Sequence, residues 1–355
     1  MAFSLKKYSF INAKLRTRLS RIFSDDFINQ IIRSPSLPET VQLFVDTDYA
    51  NIESIYNRTG DIKLVELELF RHQANLYTEV ERYVEKEVLD LVKALAAKFE
   101  TENLKNVLRL WFDKNIRKRD ISMALNYLYR DKIHYDLNID RILNTDSLET
   151  VAEALQGTPY HQIIRENSLS VVKDKNLFKL EIAIDHYYYK QLLTEARKLS
   201  DRDCRIATRL IGVTIDMQNI NWIVRFKMTY NLPLQEALKY CIPSGFSLNQ
   251  DAIAQAYSSD SVTEILSGLV KRKYPGFQSL LAKQTQETNA RLLLVERILS
   301  QILSREVSRI LVGYPFTIGI ILAYFILKEN ELKKIMTILN AKYYGISEDR
   351  IMSDL

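Results

Sequence analysis

What this chain uses sparingly narrows its fold first. Nine glycines in 355 residues is roughly a third of ordinary usage. β-rich and dinucleotide-binding folds spend glycine on turns and phosphate loops, whereas long helices have little use for it. No glycine or proline lies between Gly60 and Gly157, and none from Tyr160 to Ile211. Runs that long without a breaker predict helices joined by short polar turns. Two cysteines, Cys204 and Cys241, can neither staple a domain nor build a metal site, and both are expected as buried reduced thiols. There is no Gly-rich phosphate loop of either common type and no nucleophile elbow around any serine. The histidines, His72, His134, His161 and His186, do not stand at metal-ligand spacing. These absences predict a chain that is not an enzyme by itself, with no catalytic, cofactor-binding or metal residues to assign.

Long apolar runs are missing too. The most hydrophobic stretch, Ile310 to Leu327, is interrupted by Gly313 and Pro315. Pro315 suits the first position of a helix, which leaves Phe316 to Leu327, well short of the ~20 residues a membrane span needs. A buried core helix is expected there, and no transmembrane segment. The N-terminus lacks the apolar centre of a signal peptide. It carries Lys6, Lys7, Lys14, Arg16, Arg18 and Arg21 and no acid until Asp25, a composition that suits a transit peptide. That reading is rejected because the segment runs without a break into the first repeat.

An apolar share of 47% and a charged share of 26% are those of a globular protein, so wholesale disorder is excluded. The net charge of +5 is mild and fits acidic partners or anionic membrane surfaces. From Leu69 to Leu95 the helical period is clear: Leu69, Leu76, Val80, Tyr83, Val84, Val88, Leu91 and Leu95 make one stripe, with Glu79, Glu81, Glu85, Lys86 and Asp90 between. Similar periods run through Leu180–Leu199 and Leu292–Leu311. No stretch alternates cleanly between apolar and polar, so the fold class is all-α.

An internal repeat organises the chain. Ser36, Phe44 and Tyr49 recur as Ser147, Leu155 and Tyr160, then as Ser261, Leu269 and Tyr274, with constant internal spacing. A serine ahead of an apolar helical run is a natural N-cap. Asn103 and Arg109 recur as Asn219 and Arg225, and Glu331 and Thr337 take those places in the third copy. A third landmark is the pair Leu67–Glu68, Leu180–Glu181 and Val295–Glu296. Three helical repeats are therefore expected, at 1–118, 119–232 and 233–355, packed most simply in a ring around a pseudo-threefold axis.

Two basic clusters, Lys114 with Arg117, Lys118 and Arg119, and Lys271-Arg272-Lys273, read as solvated faces or helix C-termini. A contact with an acidic protein is the alternative. Both are too short for nucleic acid. The twenty tyrosines suit buried rings with wet hydroxyls. Asp25-Asp26-Phe27-Ile28-Asn29 is similar to the acidic motif with which terpenoid synthases hold magnesium diphosphate. A second such motif is absent, and Asp25 and Asp26 are read instead as the N-terminal cap of the following helix.

At the C-terminus stand Tyr314-Pro315-Phe316-Thr317-Ile318-Gly319, Ala323-Tyr324 and Lys328-Glu329-Asn330-Glu331. The middle holds Ile215-Asp216-Met217-Gln218-Asn219-Ile220, then Arg225 and Ser244-Gly245. Near the start are Phe10-Ile11-Asn12-Ala13-Lys14-Leu15-Arg16 and Thr47-Asp48-Tyr49. In this order the segments resemble the C subunit of V-type and archaeal-type rotary ATPases, the counterpart of the eukaryotic d subunit. The likeness spans essentially the whole chain; each motif is weak alone and their collinearity makes it specific. Tyr314 departs from the acidic residue usual before the proline, and Lys334 from a common Asn.

The resemblance implies a funnel-shaped, pseudo-threefold helical body with a central cavity. It implies a non-catalytic central-stalk subunit, peripheral on the cytoplasmic face, that joins the shaft subunits of D and F type to the membrane proteolipid ring. ATP hydrolysis elsewhere in the assembly would then drive H+ or Na+ through that ring. It implies no cofactor and assigns no partner-binding residue. The competing reading is a helical scaffold or adaptor unrelated to rotary motors.

Overall fold

The computed structural model describes residues 2–228, 230–246, 248–258 and 288–354. Among them every regular element is helical, as the scarcity of glycine and the missing alternation predict. The chain opens with α1 (Ala2–Leu19), α2 (Asp25–Arg33), α3 (Leu37–Gln42) and α4 (Asn51–Thr59). The longer α5 (Ile62–Glu81) and α6 (Lys86–Asn115) follow. A second run holds α7 (Ile139–Leu143), α8 (Leu148–Ala154), α9 (Tyr160–Asp174), α10 (Phe178–Arg197) and α11 (Asp201–Met228). The last described elements are α12 (Leu234–Tyr240), α13 (Gln250–Tyr257), α14 (Thr288–Val312), α15 (Gly319–Tyr343) and α16 (Glu348–Asp354).

The chain folds into two compact units. One comprises Met1–Ser20, Ala196–Leu327 and Asp354–Leu355; the other comprises Arg21–Glu195 and Lys328–Ser353. Charge is divided unevenly between them. The first holds 21 of the 49 Lys and Arg but only 11 of the 44 Asp and Glu, a formal +10, which leaves −5 for the second. We call them the basic and the acidic unit.

The acidic unit has two apolar cores. One gathers Leu104, Leu108, Trp111, Ile142, Val151, Leu155, Tyr160 and Leu180 from α6 to α10. The other joins Ile31, Val41, Phe44 and Tyr49 of the early helices to Leu332, Ile335 and Ile338 of α15. The two cap serines take their predicted places. Ser36 accepts from the Glu39 amide at the start of α3, and Ser147 accepts from Thr150 at the start of α8 in a reciprocal capping box. Phe44, Leu155, Tyr49 and Tyr160 are all buried. Ser261, Leu269, Tyr274 and the Lys271-Arg272-Lys273 cluster lie outside the described residues.

Three local expectations are corrected. The apolar stripe from Leu69 to Leu95 is shared by two helices: α5 ends at Glu81, and after a break at 82–85 α6 starts at Lys86, whose φ is left-handed at 49°. The chain between α6 and α7 is a long irregular segment, Ile116–Asn138, with one 3-10 turn at Ala124–Tyr127, where short turns are predicted. Pro315 does not open a helix. α14 runs to Val312 and α15 begins at Gly319, because the Ile318 amide donates to buried Asp203 (2.9 Å) and the Gly319 amide to Thr317 Oγ1. Among the described residues no helix is long and apolar enough to cross a membrane.

Candidate functional site

Three of the longest helices carry, on their buried side, two polar residues three positions apart. α6 has Glu100 and Asn103, α11 has Asp216 and Asn219, and α15 has Lys328 and Glu331, all of them buried. Residues at i and i+3 lie on one face of a helix. Placed there, each pair meets irregular backbone from another part of the chain. A buried polar group without a partner costs on the order of 1–3 kcal/mol, so the pairs must be satisfied.

They are, and by backbone that no helix or sheet serves. Glu100 Oε2 accepts the amides of His134 (2.9 Å) and Tyr135 (2.7 Å), and its Oε1 accepts the Tyr160 hydroxyl at 2.9 Å. Asn103 donates to the Tyr129 carbonyl. In the basic unit Asp216 accepts the Leu248 amide, while Asn219 both donates to and accepts from Ile242. Gly245 passes so close that an added Cβ would sit 2.0 Å from Asp216 Oδ1. The close approach, rather than a special φ, is what that glycine serves.

The third pair is charged. Lys328 Nζ donates to Glu331 Oε2 at 2.8 Å and lies 3.6 Å from Asp48 Oδ2. Glu331 also accepts the Phe23 amide and the Tyr49 hydroxyl, and Lys328 stands over the Tyr49 ring. His72 packs on the same ring. Its Nε2 is, among the described residues, the one buried side-chain polar atom lacking a hydrogen bond. Burial and the Lys328 charge both hold the His72 pKa below its ordinary value, which keeps the ring neutral. Next door, Glu329 takes the Tyr77 hydroxyl and the Lys98 ammonium. Burial pushes its carboxyl up, but those two partners outweigh burial and hold it below the usual range.

Asn103, Asn219 and Glu331 are thus among the residues the repeat picks out. Of their partners, Asp216 and Lys328 stand in the segments that carry the family resemblance, and Glu100 is missed. The available signal was a polar residue three places earlier on an otherwise apolar helical face. Arg109 and Glu181, from two different landmarks, form a two-pronged ion pair at 2.7 and 3.1 Å. Buried Asp203, in no landmark, accepts both the Tyr8 hydroxyl and the Ile318 amide.

The other singled-out residues do not gather. Ser24, not Asp25 or Asp26, caps α2 by accepting from the Phe27 amide. The two aspartates occupy its first turn, exposed, where their charge favours the helix dipole. Asp26 borders an open cavity of about 620 Å³ beside Arg33 and Glu39. Among the described residues no group of three His, Cys, Asp or Glu could hold a metal ion. Three of the cations around the C-terminal end of α6 are engaged with their own chain: Lys114 with the Leu143 carbonyl, and Arg117 and Arg119 with Asp113. Cys241 is buried, its thiol pushed up to about 12 by desolvation, whereas Cys204 is half-buried rather than buried.

The buried pairs organise backbone, each fastening an irregular segment to a long helix. The chain is 25% identical to the C subunit of the A-type ATP synthase of Methanocaldococcus jannaschii over 99% of its own length and 87% of the relative's. With the C subunit of the Methanosphaera stadtmanae enzyme the identity is 26%, covering 94% and 84%. With that of Halobacterium salinarum (strain R1) it is 24%, covering 98% and 97%. A sequence model of the ATP synthase (C/AC39) subunit matches residues 11–353, and the chain therefore belongs to the ATP synthase (C/AC39) subunit family.

Proposed function

We propose that this protein is a non-catalytic central-stalk subunit of a rotary V/A-type ATPase. In this reading it is a socket between the rotating shaft subunits of D and F type and the membrane proteolipid ring, peripheral on the cytoplasmic face. The assembly moves H+ or Na+, and this subunit passes torque. The observation that carries the reading is the collinear match over residues 11–353 with the C subunits of A-type ATP synthases. Membership of that family leaves no room for a scaffold unrelated to rotary motors.

The proposed body is a pseudo-threefold ring of segments 1–118, 119–232 and 233–355 with a funnel-like cavity. The polar pairs support it. That of α6 binds the opening of the second segment (His134, Tyr135, Tyr160), and that of α11 binds the opening of the third (Ile242, Leu248). That of α15 binds the opening of the first (Phe23, Tyr49). A succession in which the last copy serves the first is what a closed ring requires and an open solenoid lacks. Helices of this length with polar groups satisfied internally resist deformation, as a torque-bearing part must.

The test is a tagged protein pulled down from detergent-solubilised membranes. Shaft subunits and proteolipid should come with it, and the purified chain should hydrolyse no ATP. ATP-driven ion transport that survives deletion of this chain in a reconstituted complex overturns the proposal.

A further inference from the structure

The basic unit carries a stripe of arginines that the coupling role does not absorb. On α11, Arg202, Arg205 and Arg209 stand at i, i+3 and i+7 and so share one face of the helix. Each end of the stripe lies on a ring. The Arg202 guanidinium is 4.6 Å from the centre of the Tyr314 ring, and that of Arg209 is 4.3 Å from the centre of the Phe246 ring. A ring holds a guanidinium flat without cancelling its charge. Arg205, between them, is exposed. On the neighbouring α14, Arg309 is exposed too and lies near enough to act on Glu306. Among the described residues, the acids on this part of the two helices are Asp201, Asp203 and Glu306. Asp203 is buried and bonded to Tyr8 and the Ile318 amide, Glu306 is held by both prongs of Arg209, and Asp201 is exposed. Four arginines against Asp201 and Glu306 leave the face cationic.

The backbone is strained to put Phe246 at the end of this stripe. Ser244 takes a left-handed φ of 69°, which its Cβ disfavours. Gly245 presses on Asp216, and Gly212 admits the Phe246 backbone: an added Cβ there would meet the Phe246 amide nitrogen at 2.9 Å. That amide donates to the Gly212 carbonyl at 3.1 Å. The ring fixed in this way is still 43% exposed. Strain of this kind gathers at functional sites, and a rigid aromatic ring beside arginines is the composition of an interface centre. We propose that the Arg202–Arg205–Arg209 face of α11, with Phe246 at its end, docks an acidic helical segment of a partner protein. Guanidinium forks donate to carboxylates in two-pronged pairs, as Arg209 already does to Glu306. Acids three or four residues apart on a helix meet the stripe turn for turn. A continuous array of phosphates, in a membrane or a nucleic acid, would press on Asp201 and Glu306 as well. A helix places its carboxylates opposite the arginines alone. The proposal does not rest on the stalk-subunit reading, since co-purification of shaft and ring and coupling at position 205 are separate measurements and either can fail alone.

The experiment uses Arg205→Lys, which keeps the charge and supplies an amine, in the complex purified from detergent-solubilised membranes. Treatment with a carbodiimide joins an amine to a carboxylate in contact with it. Mass spectrometry should then find an amide bond between position 205 and an aspartate or glutamate of another chain, with a second acid three or four residues away. The coupled segment, synthesised as a fluorescent peptide, should bind the whole unmodified chain, and binding should fall with added salt. Arg205→Glu should weaken that binding about tenfold, and a peptide whose coupled acid is replaced by lysine should restore it. Phe246→Ala should weaken it about tenfold. Lys173→Glu, exposed in the acidic unit, should change nothing. Circular dichroism and melting check that all variants remain folded; Arg205 is exposed, so its replacement spares the core. The proposal is overturned if position 205 forms no such amide, or couples to a segment with no second acid within a helical turn. It is likewise overturned by peptide binding that survives Arg205→Glu, or by an equal loss in Lys173→Glu. Uncoupled position 205 together with binding to phosphatidylglycerol vesicles that Arg205→Glu abolishes would assign the face to a membrane instead.

Discussion

The Tyr160 hydroxyl and the Glu100 carboxylate, 60 residues apart in sequence, are joined by a buried hydrogen bond of 2.9 Å, and the same carboxylate carries the amides of His134 and Tyr135. One side chain thus fastens both the irregular segment after α6 and the helix beyond it. Burial, reinforced by Glu100, pushes the Tyr160 pKa far up, so this hydroxyl donates throughout the accessible pH range. Tyr160→Phe should cost about 1–2 kcal/mol. Glu100→Gln should cost more, about 2–4 kcal/mol, because only one of its two terminal atoms can accept, so either the two backbone amides or the Tyr160 hydroxyl meets a donor, and the charge that strengthens all three bonds is lost. Urea titration followed at Trp111, in the same core, in a Trp222→Phe background is the measurement. Equal costs for the two variants would contradict the shared-acceptor geometry.

In the basic unit the counterpart is Asp216, and there the neighbour is a glycine. Gly245→Ala would place a methyl 2.0 Å from Asp216 Oδ1, forcing the carboxylate off the Leu248 amide. A loss of about 2–4 kcal/mol is expected from clash plus an orphaned acceptor. Gly157→Ala is the comparison: its φ is +84° but open space surrounds it, so only backbone strain of about 1 kcal/mol applies. Trp222 reports the first variant and Trp111 the second. A Gly157→Ala cost matching that of Gly245→Ala would show that backbone conformation, not the close approach, sets the choice of glycine.

What could be read from the residues, and what could not, divides along the range of the interaction. The caps at Ser36 and Ser147 and the burial of Tyr49 and Tyr160 follow from local chemistry and periodic spacing. The break at 82–85 escapes detection because Val84 and Val88 continue the four-residue apolar step across it. Ile116–Asn138 reads as helix-compatible since it lacks glycine and proline. Its backbone is held instead by Glu100 and Asn103 on the preceding helix. Lys328 looks like any surface lysine until Tyr49, 279 positions away, is brought beneath it. The landmark position Asn103 is visible only because it recurs, whereas Asn219 and Glu331 also stand in the segments that carry the family resemblance. Their partners change from Glu to Asp to Lys, so no repeat of identity marks them.

The Arg209–Glu306 pair gives a pH signature. Both prongs of the guanidinium bond the carboxylate, at 2.6 and 2.7 Å, and that bonding holds the Glu306 pKa below its ordinary value despite partial burial. A depressed carboxylate favours the folded state at neutral pH, and the contribution fades as pH falls through the ordinary glutamate range toward the folded value. Glu306→Gln should therefore cost about 1 kcal/mol at pH 7, the pair being partly solvated. Parent and variant should converge in acid. Thermal melts from pH 7 down to pH 3 would show this; a gap that widens on acidification would refute it.

The Lys328–Glu331 pair is the strictest test, because its charges are buried rather than tethered at the surface. Side-chain exposure is 2% for each, and Tyr49, Phe23 and Asp48 complete the cluster. Desolvating two ions is nearly offset by their attraction, whereas removing one strands the other. Lys328→Met leaves Glu331 with a tyrosine and an amide but no counter-charge, and should cost about 3–5 kcal/mol. Glu331→Gln strands Lys328 close to the same value, relieved in part by Asp48 at 3.6 Å. The double variant keeps an oxygen for the Phe23 amide while burying no net charge. It should lose less than the sum of the singles, with a coupling of about 2 kcal/mol. Lys328→Met alone should also let His72 protonate more readily, since the cation that opposes its charge is gone while Glu331 keeps its own. Titrating the His72 ring protons by NMR reads that second effect independently of stability. Additive single-variant costs together with an unmoved His72 would mean the two charges do not act on each other or on the ring beside them.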